Sequence, residues 1–214
     1  MIQGSPEWLA IRCGRVTASR VRDVVATTKS GGYGAGRKNY MAELVGERLT
    51  GTPAEQYVSA AMAEGSRREP AARFNYALKT GFEIEEVGFV NHPRIAMAGC
   101  SPDGLVTGDG LVEIKCPNLA THIDTLLTEK IDAGYYDQMQ FQLSCTGRAW
   151  VDYVSYDDRL PEEMQMSILR VMRDNKRIEK LELEVTQFLI DVDATVDLLR
   201  KRYMAEAMMI TVSA

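Results

Sequence analysis

The chain has only two histidines, His92 and His122, and four cysteines, Cys13, Cys100, Cys116 and Cys145, in 214 residues. None of the cysteines forms a Cys-x-x-Cys pair, which with so few histidines argues against a zinc site. The four read as reduced, small core residues. No run approaches the roughly 20 apolar residues that a membrane span needs. The opening residues lack the basic start and apolar stretch of a secretory leader. A cytoplasmic location with no membrane partner is therefore expected. There is no Pro- or Ser-rich linker and no internal repeat. The glycine-rich run Ser30–Gly36 lacks the closing Gly-Lys-Ser/Thr of a phosphate loop and reads as a mobile surface loop. A net charge of −5 argues against a polyanion partner. Its distribution does not: residues 10–38 carry Arg12, Arg15, Arg20, Arg22, Lys29, Arg37 and Lys38 against Asp23 alone. A local excess of that kind suits either a polyanion held on one face or a solvated, salt-bridged surface.

What is present is an ordinary α/β composition, 45% hydrophobic and 26% charged. A first helix is expected from Ser5-Pro6-Glu7, with Ser5 as cap and Pro6 at the first helical position, broken at Gly14. Thr17-Ala18-Ser19 opens a second. Residues 38–50 and 58–79 read as helices stopped by Gly51 and Gly81. Short strands are expected at 82–91, 95–98, 104–107 and 111–116, helices at 120–131 and 136–146, and strands at 150–156 and 164–172. Leu181, Val185, Phe188, Val192, Val196 and Leu199 recur at helical spacing within a long helix over about 177–205, and that stripe reads as packing. The whole is an α+β layered α/β fold with a central mixed sheet flanked by helices, in one domain. Its parts are a helical N-terminal portion (about 1–80), a core (about 60–175) and the C-terminal helix.

The stretch that carries chemistry is Ser101-Pro102-Asp103-Gly104 followed by Glu113-Ile114-Lys115-Cys116-Pro117. Asp109-Gly110 is a turn signal between two β runs. With residues 108–110 as the loop, Thr107 faces Leu111, Gly104 faces Ile114, Asp103 faces Lys115 and Leu105 faces Glu113. Glu113 and Lys115 share one face of their strand while Ile114 enters the core. Two carboxylates and an ammonium then occupy one small space. Such carboxylates repel unless a cation lies between them. Oxygen ligands without histidine suit magnesium or manganese, and magnesium favours one or two carboxylates, waters and a substrate phosphate. Phosphodiester hydrolysis is the matching chemistry, with Lys115 orienting water, offsetting charge or acting as base.

Asp103 with Glu113-x-Lys115 resembles the PD-(D/E)xK nuclease signature. The fuller motif resembles the lambda-exonuclease and YqaJ-type viral recombinase family. Trp8 with Arg12, Val16-Thr17-Ala18-Ser19, Gly65 through Glu69, and Tyr136-x-Gln138-x-Gln140 also match that family. The resemblance implies a restriction-endonuclease-like core. It makes Asp103, Glu113 and the Ile114 carbonyl ligands of Mg2+ (two ions per site, Mn2+ substituting), Lys115 the catalytic lysine and Glu69 a further acid near the metals. It gives Arg12 the terminal 5′-phosphate with Ser19 and Ser101 as hydroxyl partners, places Gln138 in the same active site, and makes Lys29 a DNA contact. It further implies a 5′→3′ exonuclease acting on duplex DNA ends, a ring of three subunits, and a single-strand annealing protein as partner in a phage or prophage setting. Two alternatives stand beside it: an endonuclease of the same fold, and a DNA-binding module without catalysis.

Overall fold

The computed structural model describes residues 1–28, 31–55, 58–106 and 108–204. Lys29, part of the glycine-rich loop and Thr107 lie outside them. Helix α1 (Pro6–Arg12) is capped by Ser5, whose Oγ accepts from the Trp8 amide, with proline at the start. Gly14 is followed by the short strand β1 (Val16–Thr17) and a 3₁₀ turn over Ala18–Arg20 before helix α2 (Val21–Val25), so the expected second helix begins later than Thr17. Helices α3 (Ala35–Thr50) and α4 (Ala60–Thr80) end on left-handed Gly51 and Gly81. The expected strand over 82–91 is two elements in two sheets, β2 (Ile84–Glu85) and β3 (Val90–Asn91). β4 (Ala98–Cys100), β5 (Gly104–Val106) and β6 (Gly110–Lys115) follow. Then come α5 (Leu119–Thr128), α6 (Ala133–Thr146), β7 (Trp150–Tyr156), β8 (Met166–Met172) and the long α7 (Asn175–Tyr203).

A five-stranded mixed sheet of order β2-β5-β6-β7-β8 forms the centre, with β6 and β7 parallel and the other pairs antiparallel. A smaller sheet, β1-β4-β3, adjoins it. Alternation along β6 sends Val112 and Ile114 to the face packed with Ala72 and Tyr76 of α4. Leu111 goes to the other face, with Met139 and Leu143 of α6. Helix, sheet and helix thus stack as three layers. A third cluster joins α2, α3 and α6 to the stripe Leu181, Val185, Phe188, Val192 and Val196 of α7, with Leu199 packed against it. Phe188 stacks on Tyr40 at 5.6 Å between ring centres.

The histidines and half of the cysteines are structural. His122 bonds the Ser155 hydroxyl at 2.7 Å and the Met164 carbonyl at 2.9 Å. His92 Nδ1 accepts from the Arg94 and Ile95 amides at 3.1 and 3.0 Å, which leaves Nε2 to donate toward Ser144 and Glu182. Cys100 and Cys145 are buried; Cys13 and Cys116 are only half-buried, so they are not full core residues. Much of the N-terminal basic excess is spent on ion pairs: Arg20 with Asp23 and Glu43, and buried Arg37 with Glu184 and Asp191. Among the described residues no helix is long and apolar enough to cross a membrane.

Candidate active site

The β5–β6 hairpin sets the site. Its register is Gly104 with Val112, Leu105 with Leu111 and Val106 with Gly110, two residues from the expected pairing. The register moves because Gly110 is itself a strand residue, paired with Val106, its bare Cα lying against the Trp150 ring. The shift is even, so every side chain keeps its expected face. Its effect is to move Asp103 from opposite Lys115 to opposite Glu113. A Cβ on Gly104 would lie 2.2 Å from Ile84 Cγ2, so the glycine after Asp103 lets β2 close on the hairpin.

Asp103 Oδ2 accepts from the Ile114 amide at 2.6 Å. Burial and the neighbouring Glu113 charge raise its carboxyl well above the usual range, against the pull of Lys115. Glu113 is buried, at 2% exposure, yet charged groups and amides surround it. Its Oε1 accepts from Lys115 Nζ at 2.5 Å and from Gln138 Nε2 at 2.5 Å, and its Oε2 from Gln142 Nε2 at 2.6 Å. Burial works against the Lys115 ammonium, but Glu113 and Asp103 outweigh it and hold the amine above its usual range. Lys115 also lies 5.2 Å from the centre of the Tyr135 ring.

Glu69 approaches from α4. A Cβ on Gly65 would sit 3.3 Å from the Cys116 carbonyl, so a glycine there lets α4 lie close to the end of β6, and Glu69 follows one turn later on the same side. Pro70 lacks an amide hydrogen and breaks the helical ladder beside it. Burial raises the Glu69 carboxyl, with Arg73 lowering it and Glu113 raising it further. Arg73 donates to Glu69 at 2.6 Å.

Among the described residues no three acidic, histidine or cysteine side chains close on one point. The fit to a divalent ion therefore rests on the carboxylates of Asp103 and Glu113, with Glu69 near enough to help raise the Asp103 carboxyl. Mutual repulsion among these acids is what a hard cation relieves, and magnesium asks for few protein ligands. The residues fit such an ion.

A separate cavity of about 420 Å³ is lined by Arg12, Ser19, Arg20 and Tyr40 together with Glu43 and Glu47. The Arg12 guanidinium lies 3.8 Å over the Trp8 ring, and burial lowers its pKa. Trp8 Nε1 donates to Ser101 Oγ at 2.9 Å, which ties α1 to the segment entering Asp103. Arg12 and Ser19 thus share one wall, with Ser101 reached through Trp8. Gln138 donates to Glu113 Oε1. Gln140 does not face the site: it donates to the Met172 carbonyl and accepts from the Asp174 amide, fastening β8 to α7. Lys29 lies outside the described residues. Gln142 is the site residue that the sequence reading missed; its signal was its place four residues after Gln138, on the same helix face.

A family model of the YqaJ-like viral recombinase domain matches residues 7–149. The alkaline exonuclease LHK-Exo of Laribacter hongkongensis is 51% identical over 95% of this chain and 100% of its own, with a TM-score of 0.87. LHK-Exo in complex with dAMP aligns at 48% identity over 94% of this chain and 99% of its own, with a TM-score of 0.88. A phage-related exonuclease from Haemophilus somnus 129PT, at 16% identity over 86% of this chain and 96% of its own, shares the fold with a TM-score of 0.70. No curated protein matches the chain.

Proposed function

The chain belongs to the YqaJ-like viral recombinase family, and from that premise we propose that it is a magnesium-dependent exonuclease. It degrades one strand of linear duplex DNA in the 5′→3′ direction and leaves 3′ single strands for phage-type recombination by annealing. The observation that carries this reading is the meeting of Asp103, Glu113 and Lys115 on one hairpin, linked to Arg12 through the Trp8 ring and the Trp8–Ser101 hydrogen bond. The alkaline exonuclease relatives support a nuclease. LHK-Exo in complex with dAMP holds a deoxynucleoside monophosphate, the kind of product an exonuclease releases.

Asp103, Glu113 and the Ile114 carbonyl would hold magnesium, or manganese in its place, with Glu69 beside them and two ions per site. When bound, the metal neutralises phosphoryl oxygens and acidifies a water. Gln138 holds the Glu113 carboxylate. Lys115, kept as an ammonium by Glu113 and Asp103, donates toward the reacting phosphate or its water. Arg12 presents a planar fork to the terminal 5′-phosphate. Ser101 Oγ already accepts from Trp8, so its proton is free for a phosphate oxygen; the Ser19 hydroxyl, in the cavity with Arg12, is a second partner for that phosphate. Hydrolysis joins a water oxygen to phosphorus and breaks the bond to the 3′ oxygen. Each cut therefore leaves a new 5′-phosphate, the group Arg12 binds, and one product end becomes the next substrate.

The family resemblance also supports three copies in a ring around DNA, an annealing protein as partner, and the cytoplasm of a bacterial host as the setting. Linear duplexes labelled at opposite strand ends, with and without 5′-phosphate, test the reading in magnesium and in chelator. Magnesium-dependent loss from phosphorylated 5′ ends is expected, with covalently closed circles untouched. Cutting of closed circles would assign an endonuclease instead, and no cleavage in magnesium, or with manganese in its place, would leave a binding module.

A further inference from the structure

Glu113 carries more protein partners than a lone metal ligand requires, and their arrangement selects one of its oxygens. A carboxylate offers about four lone-pair positions, two on each oxygen. On Oε1 both are taken, by Lys115 and Gln138. On Oε2 one is taken, by Gln142. Among the described residues, the one position left is therefore on Oε2. The terminal torsion of glutamate is broad and two-fold, so the rotamer alone does not fix the plane of the carboxylate. It is fixed by two amides gripping the two oxygens from successive turns of α6.

Gln142 is an unusual occupant of its place. Its side chain is fully buried, and its neighbours on α6 are the core residues Phe141, Leu143 and Cys145. Its Oε1 is buried without a hydrogen-bond partner. A core position filled this way leaves an amide half satisfied, which disfavours the fold. The half that is satisfied points at Glu113. Turning the amide over would set its oxygen against the carboxylate, so the charge on Glu113 alone orients it.

We infer that Gln142 is a positioning residue that holds Glu113 Oε2 as the oxygen presented to the divalent cation. The inference rests on the metal-site reading above and goes beyond it in naming the oxygen and the residue that aims it. It extends to the whole helix: α6 works as a two-armed brace, in which Gln138, together with Lys115 of β6, occupies one oxygen and Gln142 holds the other.

The test uses Gln142→Met, which keeps the volume and removes the donor, beside the parent chain and Glu113→Ala. Calorimetric titration with Mn2+ alone measures affinity, and thermal melting in chelator checks the fold. The parent binds, Glu113→Ala loses binding, and Gln142→Met binds roughly 10- to 100-fold more weakly, the usual cost of removing an outer-shell partner. Its melting temperature in chelator stays close to the parent's, because the loss at Glu113 is offset by removal of the unpaired carbonyl. Raising Mn2+ then restores turnover to Gln142→Met, which a damaged fold would not allow. Unchanged Mn2+ affinity in Gln142→Met overturns the inference while leaving the metal site intact. Absence of Mn2+ binding by the parent chain overturns the metal-site reading itself. If Gln142→Met melts far below the parent, Gln142→Leu takes its place in the same titration; parent-like affinity there also overturns the inference.

Discussion

Replacing Asp103 by asparagine should stabilise the chain without metal and destabilise it, relative to the parent, with metal. Asparagine keeps an oxygen for the Ile114 amide and removes a charge that burial and Glu113 both oppose. Cross-strand neighbours about 6 Å apart repel by about 2.8 kcal/mol at an effective dielectric of about 20. Loss of charge assistance at the Ile114 amide costs about 1 kcal/mol, and loss of the attraction to Lys115 takes a similar share. A net gain of about 1 kcal/mol remains. For 214 residues the unfolding entropy near the midpoint is about 0.45 kcal/mol/K, so the melting temperature rises by about 2 °C in chelator. In magnesium at a hundred times its dissociation constant the parent gains about 2.7 kcal/mol, or about 6 °C, and the variant little of it. The order of the two melting temperatures then reverses. Because the folded-state pKa of Asp103 is raised, its cost to the parent appears as pH rises above about 3.9 and is absent below that. Differential scanning calorimetry in chelator and in magnesium, at neutral pH and at pH 3.5, covers all four conditions. A variant that melts below the parent in chelator, or that keeps the parent's magnesium shift, refutes the reasoning.

Arg12→Ala should lower kcat/KM on 5′-phosphorylated ends by roughly 10- to 100-fold, the worth of a charged hydrogen-bonded contact, and leave unphosphorylated ends nearly unaffected; equal loss on both ends would remove the phosphate from its role. Phe188→Ala, at the stack on Tyr40, should cost about 3–5 kcal/mol in urea unfolding, and a loss under 1 kcal/mol would contradict the packing described. His92 has a depressed folded-state pKa through burial, so the unfolded chain binds the extra proton and stability falls as pH drops below about 6.5; His92→Asn should unfold with a smaller difference between pH 7.5 and 5.5 than the parent. Turnover should fall steeply with added salt as phosphate contacts give way to counterions, and a salt-independent rate would speak against an extended grip on DNA.

The strongest periodic signals were legible in the sequence. Trp150–Tyr156, Ser5 as a cap and the apolar stripe of α7 all stand where expected. The hairpin was legible as a hairpin but misread in register, because Gly110 was assigned to the loop on local turn chemistry. Its use as a strand residue depends on Trp150, forty residues away, which only the fold brings near. For the same reason β2 and β3 were one strand on paper: nothing local says that Ile84 pairs with Val106 while Val90 pairs with Cys100. Of the site, Asp103, Glu113 and Lys115 were legible because they lie on one hairpin. Gln142 was hidden because it acts across 29 residues and resembles an ordinary polar helix position.

The parallel pairing of β6 with β7 has a temporal consequence. Antiparallel hairpins close locally, but β6 meets β7 only after the crossover through α5 and α6 has wrapped back over the sheet. Glu113 sits where that wrap is sealed, its carboxylate held from α6. A chain in which only the hairpin has formed holds these acids without the helix whose amides grip Glu113. The hairpin alone therefore brings the acids together, and the grip on Glu113 waits until α6 has docked.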